Sequence, residues 1–107
     1  MATPKPGTRV RGSRTGKPIM ALLDLLGRKW ALRILWELRE GAATFRELRE
    51  RCGGVSPTVL NERLRELRDS GIVVLVGEGF RVTEHGEALL KALAPLAVWA
   101  TAWAKRG

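Results

Sequence analysis

The spacing of apolar positions divides the chain into a polar opening segment and a longer region with amphipathic periodicity. Residues 1–18 are rich in Pro, Gly, Ser, Thr and Arg and offer almost no apolar side chains for a core. From residue 19 onward, apolar residues recur three and four positions apart, which is the spacing of one buried helix face. We therefore expect a disordered basic arm over residues 1–18 and one folded domain over residues 19–107.

Two helices are predicted at the start of this domain. The first covers residues 19–26 and ends at Gly27, and the second runs from about residue 28 to residue 40. Apolar spacing in the second helix places Trp30 and Trp36 in the core.

Two further helices carry clear start signals. Thr44 followed by Glu47 is a capping box, so a third helix is predicted from Thr44. Ser56 followed by Pro57 is a cap with proline at the first helical position, so a fourth helix begins there. The fourth helix has one apolar seam, which consists of Leu60, Leu64 and Leu67.

The last third of the chain predicts a hairpin followed by a helix. Residues 72–76 and 80–83 are β-prone runs separated by Gly77-Glu78-Gly79. The final helix extends from Thr83 to about Lys105, with a kink or break near Pro95. The predicted fold is mainly α with a small β-hairpin (α+β), a winged helix-turn-helix with a terminal dimerisation helix.

The charge of the chain favours a polyanionic partner. The chain has nineteen Lys and Arg residues and eleven Asp and Glu residues. Five of the basic residues lie in the first 18 positions, which contain no acidic residue. Nucleic acid is the first candidate and an anionic membrane surface the second. The apolar run 88–104 is too short for a membrane span and is interrupted by Lys91 and Pro95, so we expect no membrane insertion.

The polar face of the fourth helix is the candidate DNA-reading surface. In a helix-turn-helix, the early residues of the second helix reach base edges in the major groove. Asn pairs well with adenine, Glu accepts from cytosine, and Arg pairs with guanine or phosphate. The candidate base contacts are Thr58, Asn61, Glu62 and Arg65. The competing interpretation is a solvated face with Glu–Arg pairs at helical spacing.

Other cations and one capping hydroxyl are candidates for contacts with the DNA backbone, which supply affinity and register but no sequence information. They are Lys29, Arg46, Arg49, Ser56, Arg63 and Arg81. Arg46 and Arg49 equally fit simple ion pairs with Glu47 or Glu50 in solvent.

An enzyme is not predicted. His85 stands alone, no Cys/His cluster has metal-ligand spacing, and no glycine-rich phosphate loop is present, so we expect no cofactor and no metal. Cys52 has no disulfide partner in the chain and is expected to be a small buried side chain. The first apolar run contains Asp24 and is not a signal peptide, so we expect a cytoplasmic, nucleoid-associated protein.

Three segments in order carry a family resemblance: LLDLLGRKWALRILWEL, TFRELRERCGGVSPTVLNERLRELRDSGIV and VTEHG. Together they resemble the HxlR family of bacterial and archaeal winged-helix transcription regulators, over roughly residues 19–103. The resemblance implies a sequence-specific regulator that binds double-stranded, pseudo-palindromic DNA as a homodimer. It identifies no effector ligand, operator or target gene.

Two departures from the family pattern limit what the resemblance implies. Many members carry a Cys-Pro pair before the first helix and some sense oxidants with it, whereas this chain has Lys17-Pro18. The hairpin loop is also shorter than usual and carries Glu78 at its tip. The basic arm, through Arg9, Arg11 and Arg14, is a candidate substitute in a neighbouring groove, against the simpler role of non-specific attraction.

The end of the chain is too apolar for a small core to cover, which indicates a partner chain. Two-fold pairing of the terminal helices, together with the first helix, would bury Leu22, Leu96, Trp99, Ala100 and Trp103. The sequence leaves two rival functions open. One is a winged-helix module that binds protein; the other is an architectural DNA-binding protein of low sequence specificity.

Overall fold

Helices and three short strands make up the part of the chain that the computed structural model describes, which is Thr3 and residues 17–106. The elements are α1 (Pro18–Leu26), α2 (Ala31–Glu37), β1 (Ala43–Thr44), α3 (Phe45–Cys52), α4 (Pro57–Asp69), β2 (Val73–Val76), β3 (Gly79–Val82), α5 (Glu84–Leu93) and α6 (Pro95–Arg106). The mainly helical winged helix-turn-helix predicted from the sequence is confirmed. Pro18, which the sequence assigned to the arm, is the first residue of α1.

Side-chain caps fix where the predicted helices begin. At α3, the Glu47 amide donates to Thr44 Oγ1 at 3.1 Å and the Thr44 amide donates to Glu47 Oε1 at 2.9 Å, so the capping box is confirmed. At α4, the Val59 amide donates to Ser56 Oγ at 3.1 Å. Each bond satisfies an amide that the helix itself leaves without a partner.

The sheet contains one more strand than the sequence predicted. The β2–β3 hairpin is confirmed, and β1 pairs with the other side of β3, giving the antiparallel order β1-β3-β2. The hairpin turn is only Gly77-Glu78, because Gly79 already pairs with Val76 within the hairpin. Gly77 has φ 62°, a conformation that glycine adopts without steric cost.

The core is apolar and lies between α2, α3, α4 and the sheet. Its largest fully buried side chains are Ile34, Leu35, Leu38, Leu48, Leu60, Leu64 and Leu67, so the predicted seam of α4 is confirmed. Trp30 is half-buried against this core. The prediction for Trp36 was wrong: it is 42% exposed, because α2 turns it toward α5 and α6 instead of toward α4.

Two predicted helices have different bounds in the structure. The second begins only at Ala31, because Trp30 has φ 77° in the left-handed region and ends the preceding turn. The last is divided into α5 and α6 at Pro95, as expected from the missing proline N–H. No helix among the described residues is long and apolar enough to cross a membrane.

Candidate nucleic-acid interface

The helix pair α3–α4 forms the frame of the candidate interface. Gly53 ends α3 in the left-handed conformation, with φ 68°, and its amide donates to the Arg49 carbonyl. Val55 is buried in the turn, and Ser56 then caps α4. The turn between the helices is thus fixed by one glycine, one buried anchor and one cap.

The four candidate base-reading residues lie on the solvent side of α4. Thr58, Asn61, Glu62 and Arg65 are all exposed, while the leucine seam of the same helix is buried. Arg65 pairs with Asp69 one turn away, with 3.4 Å between Nη1 and Oδ2. Such an exposed pair contributes little energy, so it does not prevent Arg65 from binding another partner.

Most of the candidate backbone contacts are also accessible. Lys29, Arg49, Ser56 and Arg81 are exposed, and Arg46 is exposed while it forms a 3.5 Å pair with Glu50. These side chains come from the turn after α1, from α3, from the cap of α4 and from β3.

Arg63 differs from the other candidate contacts because its charge is already engaged. Its side chain is only 16% exposed. Arg63 Nε donates to the Lys29 carbonyl at 2.9 Å, and Nη1 donates to Glu66 Oε1 at 2.7 Å. The structure therefore places Arg63 between α4 and the turn before α2, rather than on the exposed face.

Glu66 was missed by the sequence analysis. Although charged, it is 3% exposed, and its second carboxylate oxygen binds Arg28, which in turn pairs with Asp24 at 3.2 Å. The signal in the sequence was the i,i+3 spacing of Arg63 and Glu66 beside the buried Leu67. An exposed Arg–Glu pair has the same spacing, so the pattern alone does not reveal the burial.

The C-terminal helix leaves an apolar surface uncovered. No residue of α6 is buried; Trp99 and Trp103 are 63% and 64% exposed and stack on each other with ring centroids 5.7 Å apart. Leu96 and Ala100, from the same predicted dimer set, are also exposed. Leu22, in contrast, is partly buried against the core of its own chain.

An apolar groove lies beside this helix, between α2 and the α5–α6 pair. It has a volume of about 760 Å³, and its walls include Leu32, Trp36, Leu90 and Leu96. Arg39 stacks on the Trp36 ring with its guanidinium carbon 3.8 Å from the ring centroid. Leu96 and Ala97 of α6 line the groove, so the groove adjoins the exposed surface of that helix.

Neither a metal site nor a reactive thiol is apparent in the described part of the chain. Within residues 17–106 and Thr3, no group of three or more His, Cys, Asp or Glu side chains is arranged to hold a metal ion. Cys52 is a buried free cysteine, and burial raises the pKa of its thiol above the ordinary value, which disfavours the thiolate. The candidate arm residues Arg9, Arg11 and Arg14 lie outside the described residues.

Comparisons with known proteins agree with this architecture. The family model described as HxlR-like helix-turn-helix matches residues 25–107. The HTH-type transcriptional regulator YvaP of Bacillus subtilis is 32% identical over 88 residues, covering 76% of this chain and 82% of that protein. The chain is 30% identical over 89 residues to the regulator MJ0925 of Methanocaldococcus jannaschii, covering 78% of this chain and 83% of that protein.

Solved structures show the same similarity. Quinone-bound YodB from B. subtilis superimposes with a TM-score of 0.73 at 31% identity, covering 78% of this chain and 94% of that one. A possible HxlR family transcriptional factor from Thermoplasma volcanium gives a TM-score of 0.69 at 29% identity, covering 78% and 82% of the two chains.

Proposed function

The chain belongs to the HxlR-like helix-turn-helix family of transcriptional regulators, and we propose that it acts as a homodimer on a pseudo-palindromic operator in double-stranded DNA. The observation that carries the proposal is the division of α4 into a buried leucine seam and an exposed polar face that starts at a capped N-terminus. Such a helix presents its first two turns to the major groove while its seam holds it to the domain.

Base reading is assigned to the exposed face of α4. Asn61 offers the amide geometry that matches adenine, Glu62 accepts from cytosine, and Arg65 is released from Asp69 to bind guanine or phosphate. Thr58, at the start of the helix, contacts a thymine methyl or a base edge.

Register on the DNA is assigned to the surrounding cations and the cap. Lys29, Arg46, Arg49 and Arg81 neutralise phosphates, and the N-terminal end of α4, capped by Ser56, adds a further phosphate site. Arg63 is excluded from this set, because its guanidinium already binds two groups of the protein.

Dimerisation is assigned to α6 and the groove beside it. A single chain leaves Leu96, Trp99 and Trp103 in water, which is unfavourable for so large an apolar area. A two-fold contact would cover the same surface on both chains and set two copies of α4 about one helical turn of DNA apart.

The basic arm is proposed to contact the neighbouring groove of the DNA in place of the wing, which is the β2–β3 hairpin. The hairpin ends in a two-residue turn with the acidic Glu78 exposed at its tip, which repels phosphate. Deleting residues 1–16 and measuring affinity against salt tests the arm: a changed base preference supports groove contact by Arg9, Arg11 and Arg14. If the logarithm of the affinity depends less steeply on the logarithm of the salt concentration (a shallower salt slope) while the base preference is unchanged, the arm supplies only non-specific attraction.

The deciding experiment selects bound duplexes from a random DNA pool, with the protein's mass in solution measured in parallel. We expect a pseudo-palindromic consensus and a dimer in the cytoplasmic salt range. Asn61→Ala should relax one position of each half-site at a cost of about 1–3 kcal/mol, while the exposed Arg68→Ala on the same helix should not. Equal binding of all sequences would indicate an architectural DNA-binding protein, and no DNA binding would indicate a protein-interaction module.

A further inference from the structure

The turn between α1 and α2 is held to α4, the proposed DNA-reading helix, by a set of largely buried ion pairs and hydrogen bonds. We call this set the turn clamp, and it consists of Arg28, the Lys29 carbonyl, Arg63 and Glu66. Arg63 spans two acceptors at once, the Lys29 carbonyl at 2.9 Å and Glu66 Oε1 at 2.7 Å. Glu66 in turn binds Arg28 through Oε2, so α4 holds two consecutive residues of the turn, one by its side chain and one by its carbonyl.

The backbone that the clamp holds is in an unfavourable conformation. Trp30, directly after the carbonyl that accepts from Arg63, has φ 77°. A bulky residue in the left-handed region costs about 1–3 kcal/mol and persists only where the surroundings determine the conformation. The bond from Arg63 to the preceding carbonyl is one such determinant, and the half-buried packing of the Trp30 ring is another.

Folding energy alone does not account for the clamp. The leucine seam already anchors α4 to the core, and buried ion pairs often add no net stability compared with apolar residues of similar size. Leucine contacts are not directional, so a helix held only by them can rotate or shift slightly. Charge-assisted hydrogen bonds are directional and fix both rotation and distance.

The clamp therefore links two parts of the proposed DNA surface. Lys29 belongs to the candidate phosphate contacts, and its own carbonyl is bonded to the helix that carries the candidate base contacts. Arg63 lies on the side of α4 away from the exposed face, but only two residues before Arg65. A rotation of α4 would move every base-reading side chain relative to Lys29.

We propose that Arg63 is a positioning residue for sequence discrimination: together with Glu66 it sets the rotation of α4 and its register against Lys29. The proposal rests on the proposed function, since discrimination between DNA sequences is what it explains. It differs from a phosphate-contact role for Arg63, in which only the positive charge would matter.

Arg63→Lys separates these two roles because it keeps the charge. A lysine ammonium cannot reproduce the planar fork that reaches two acceptors in different directions. We expect the ratio of affinities for selected and scrambled duplexes to fall about ten-fold or more, as for a lost base contact, with the salt slope unchanged. Arg68→Lys, the same change on the exposed side of α4, is the matched control and should leave both quantities unchanged.

The opposite result would overturn the proposal. If Arg63→Lys keeps the wild-type ratio while Arg63→Met lowers the salt slope by about one, Arg63 contacts phosphate and does not position the helix. If the wild-type protein itself shows no sequence preference, the proposed function is wrong. This result comes from the wild-type protein alone, so it can be distinguished from a failure of the positioning role of Arg63.

A second variant covers the case in which Arg63→Lys does not fold. The combined replacement Asp24→Asn, Arg28→Met, Arg63→Met and Glu66→Leu exchanges the charges of the clamp for uncharged side chains and leaves no unpaired carboxylate at Asp24, and such an exchange is often neutral or favourable for folding. We expect a folded protein, judged by circular dichroism and urea denaturation, with a reduced affinity ratio. A folded variant without these charges that discriminates as well as the wild type would also overturn the proposal.

Discussion

Arg63 donates a 2.7 Å hydrogen bond to the carboxylate of Glu66 one turn further along α4, on the buried side of the helix whose other side is exposed to solvent. The same carboxylate binds Arg28 from the turn after α1. Glu66 thus bridges two arginines beneath the candidate DNA surface, and Asp24, which also pairs with Arg28, supplies the second negative charge. On the outer side, the pairs of Arg46 with Glu50 and of Arg65 with Asp69 are open to solvent, so these arginines remain accessible to phosphate.

Loss of the Glu66 carboxylate should lower the free energy of unfolding. Glu66→Ala leaves Arg28 and Arg63 buried without their shared anion, and breaking one partner of a buried ion pair costs about 3–5 kcal/mol. Urea denaturation measures this change in the free energy of unfolding. Glu62→Ala, an exposed position on the same helix, should change it by less than about 0.5 kcal/mol. Equal effects of the two substitutions would contradict the buried network.

Gly86 should tolerate no side chain. A Cβ at this position would lie 2.2 Å from the Ile72 carbonyl oxygen, and a backbone atom cannot move aside cheaply. We expect Gly86→Ala to lower the free energy of unfolding by about 1–3 kcal/mol, as overpacking does. Gly79→Ala is the control, because its Cβ would meet only ordinary contacts, the nearest at 3.6 Å. Thermal denaturation of both variants measures the loss of stability, and an equal loss in the two variants would contradict the prediction.

The capping box should contribute to acid stability. The backbone hydrogen bond from Thr44, together with its side-chain bond, lowers the pKa of Glu47 below its ordinary 4.5. Because the folded-state pKa is the lower one, the contribution is complete above the unfolded value and is lost as pH falls through the folded value. Glu47→Gln should therefore make the free energy of unfolding less dependent on pH below about 4.5 than it is in the wild-type protein. A pH profile of unfolding identical to that of the wild-type protein would argue against this contribution of the capping box.

Cys52 should be unreactive in the native protein. Burial raises its thiol pKa above 9.0, so little thiolate forms and reagents have little access. We expect slow labelling by a thiol reagent at neutral pH, and complete labelling in urea. Because the pKa of the thiol is higher in the folded state, the stabilising contribution of Cys52 is lost as pH rises from the unfolded pKa through the folded pKa. Cys52→Ala should therefore reduce the loss of unfolding free energy at alkaline pH. Fast native labelling would show that the thiol is accessible.

The parts of the fold that were predicted correctly depend on interactions between near neighbours in the chain. The caps at Thr44 and Ser56 and the break at Pro95 each involve residues within four positions. The leucine seam of α4 follows from the helical repeat alone. For the same reason, the exposure of Asn61 and Arg65 was predictable once the opposite face was known to be apolar.

The features that were missed depend on contacts between distant residues. The two-residue strand β1 exists because Ala43 and Thr44 pair with Phe80 and Gly79, some 35 positions later. Trp36 is exposed because the packing of α5 and α6 leaves a groove at that side of α2, which helical spacing does not reveal.

By itself, the sequence determined the family, the winged helix-turn-helix and the helix whose polar face is the candidate DNA-reading surface, because periodicity, caps and turn residues are local signals. Only the tertiary structure decided that Arg63 faces inward, that Glu66 is buried and that Trp30 has a positive φ. The physical reason is that a charged side chain lies in the interior only where counter-charges meet it, and for Glu66 one of them comes from a distant element. Arg63 lies on the same helix, but Arg28 lies 38 residues earlier in the chain.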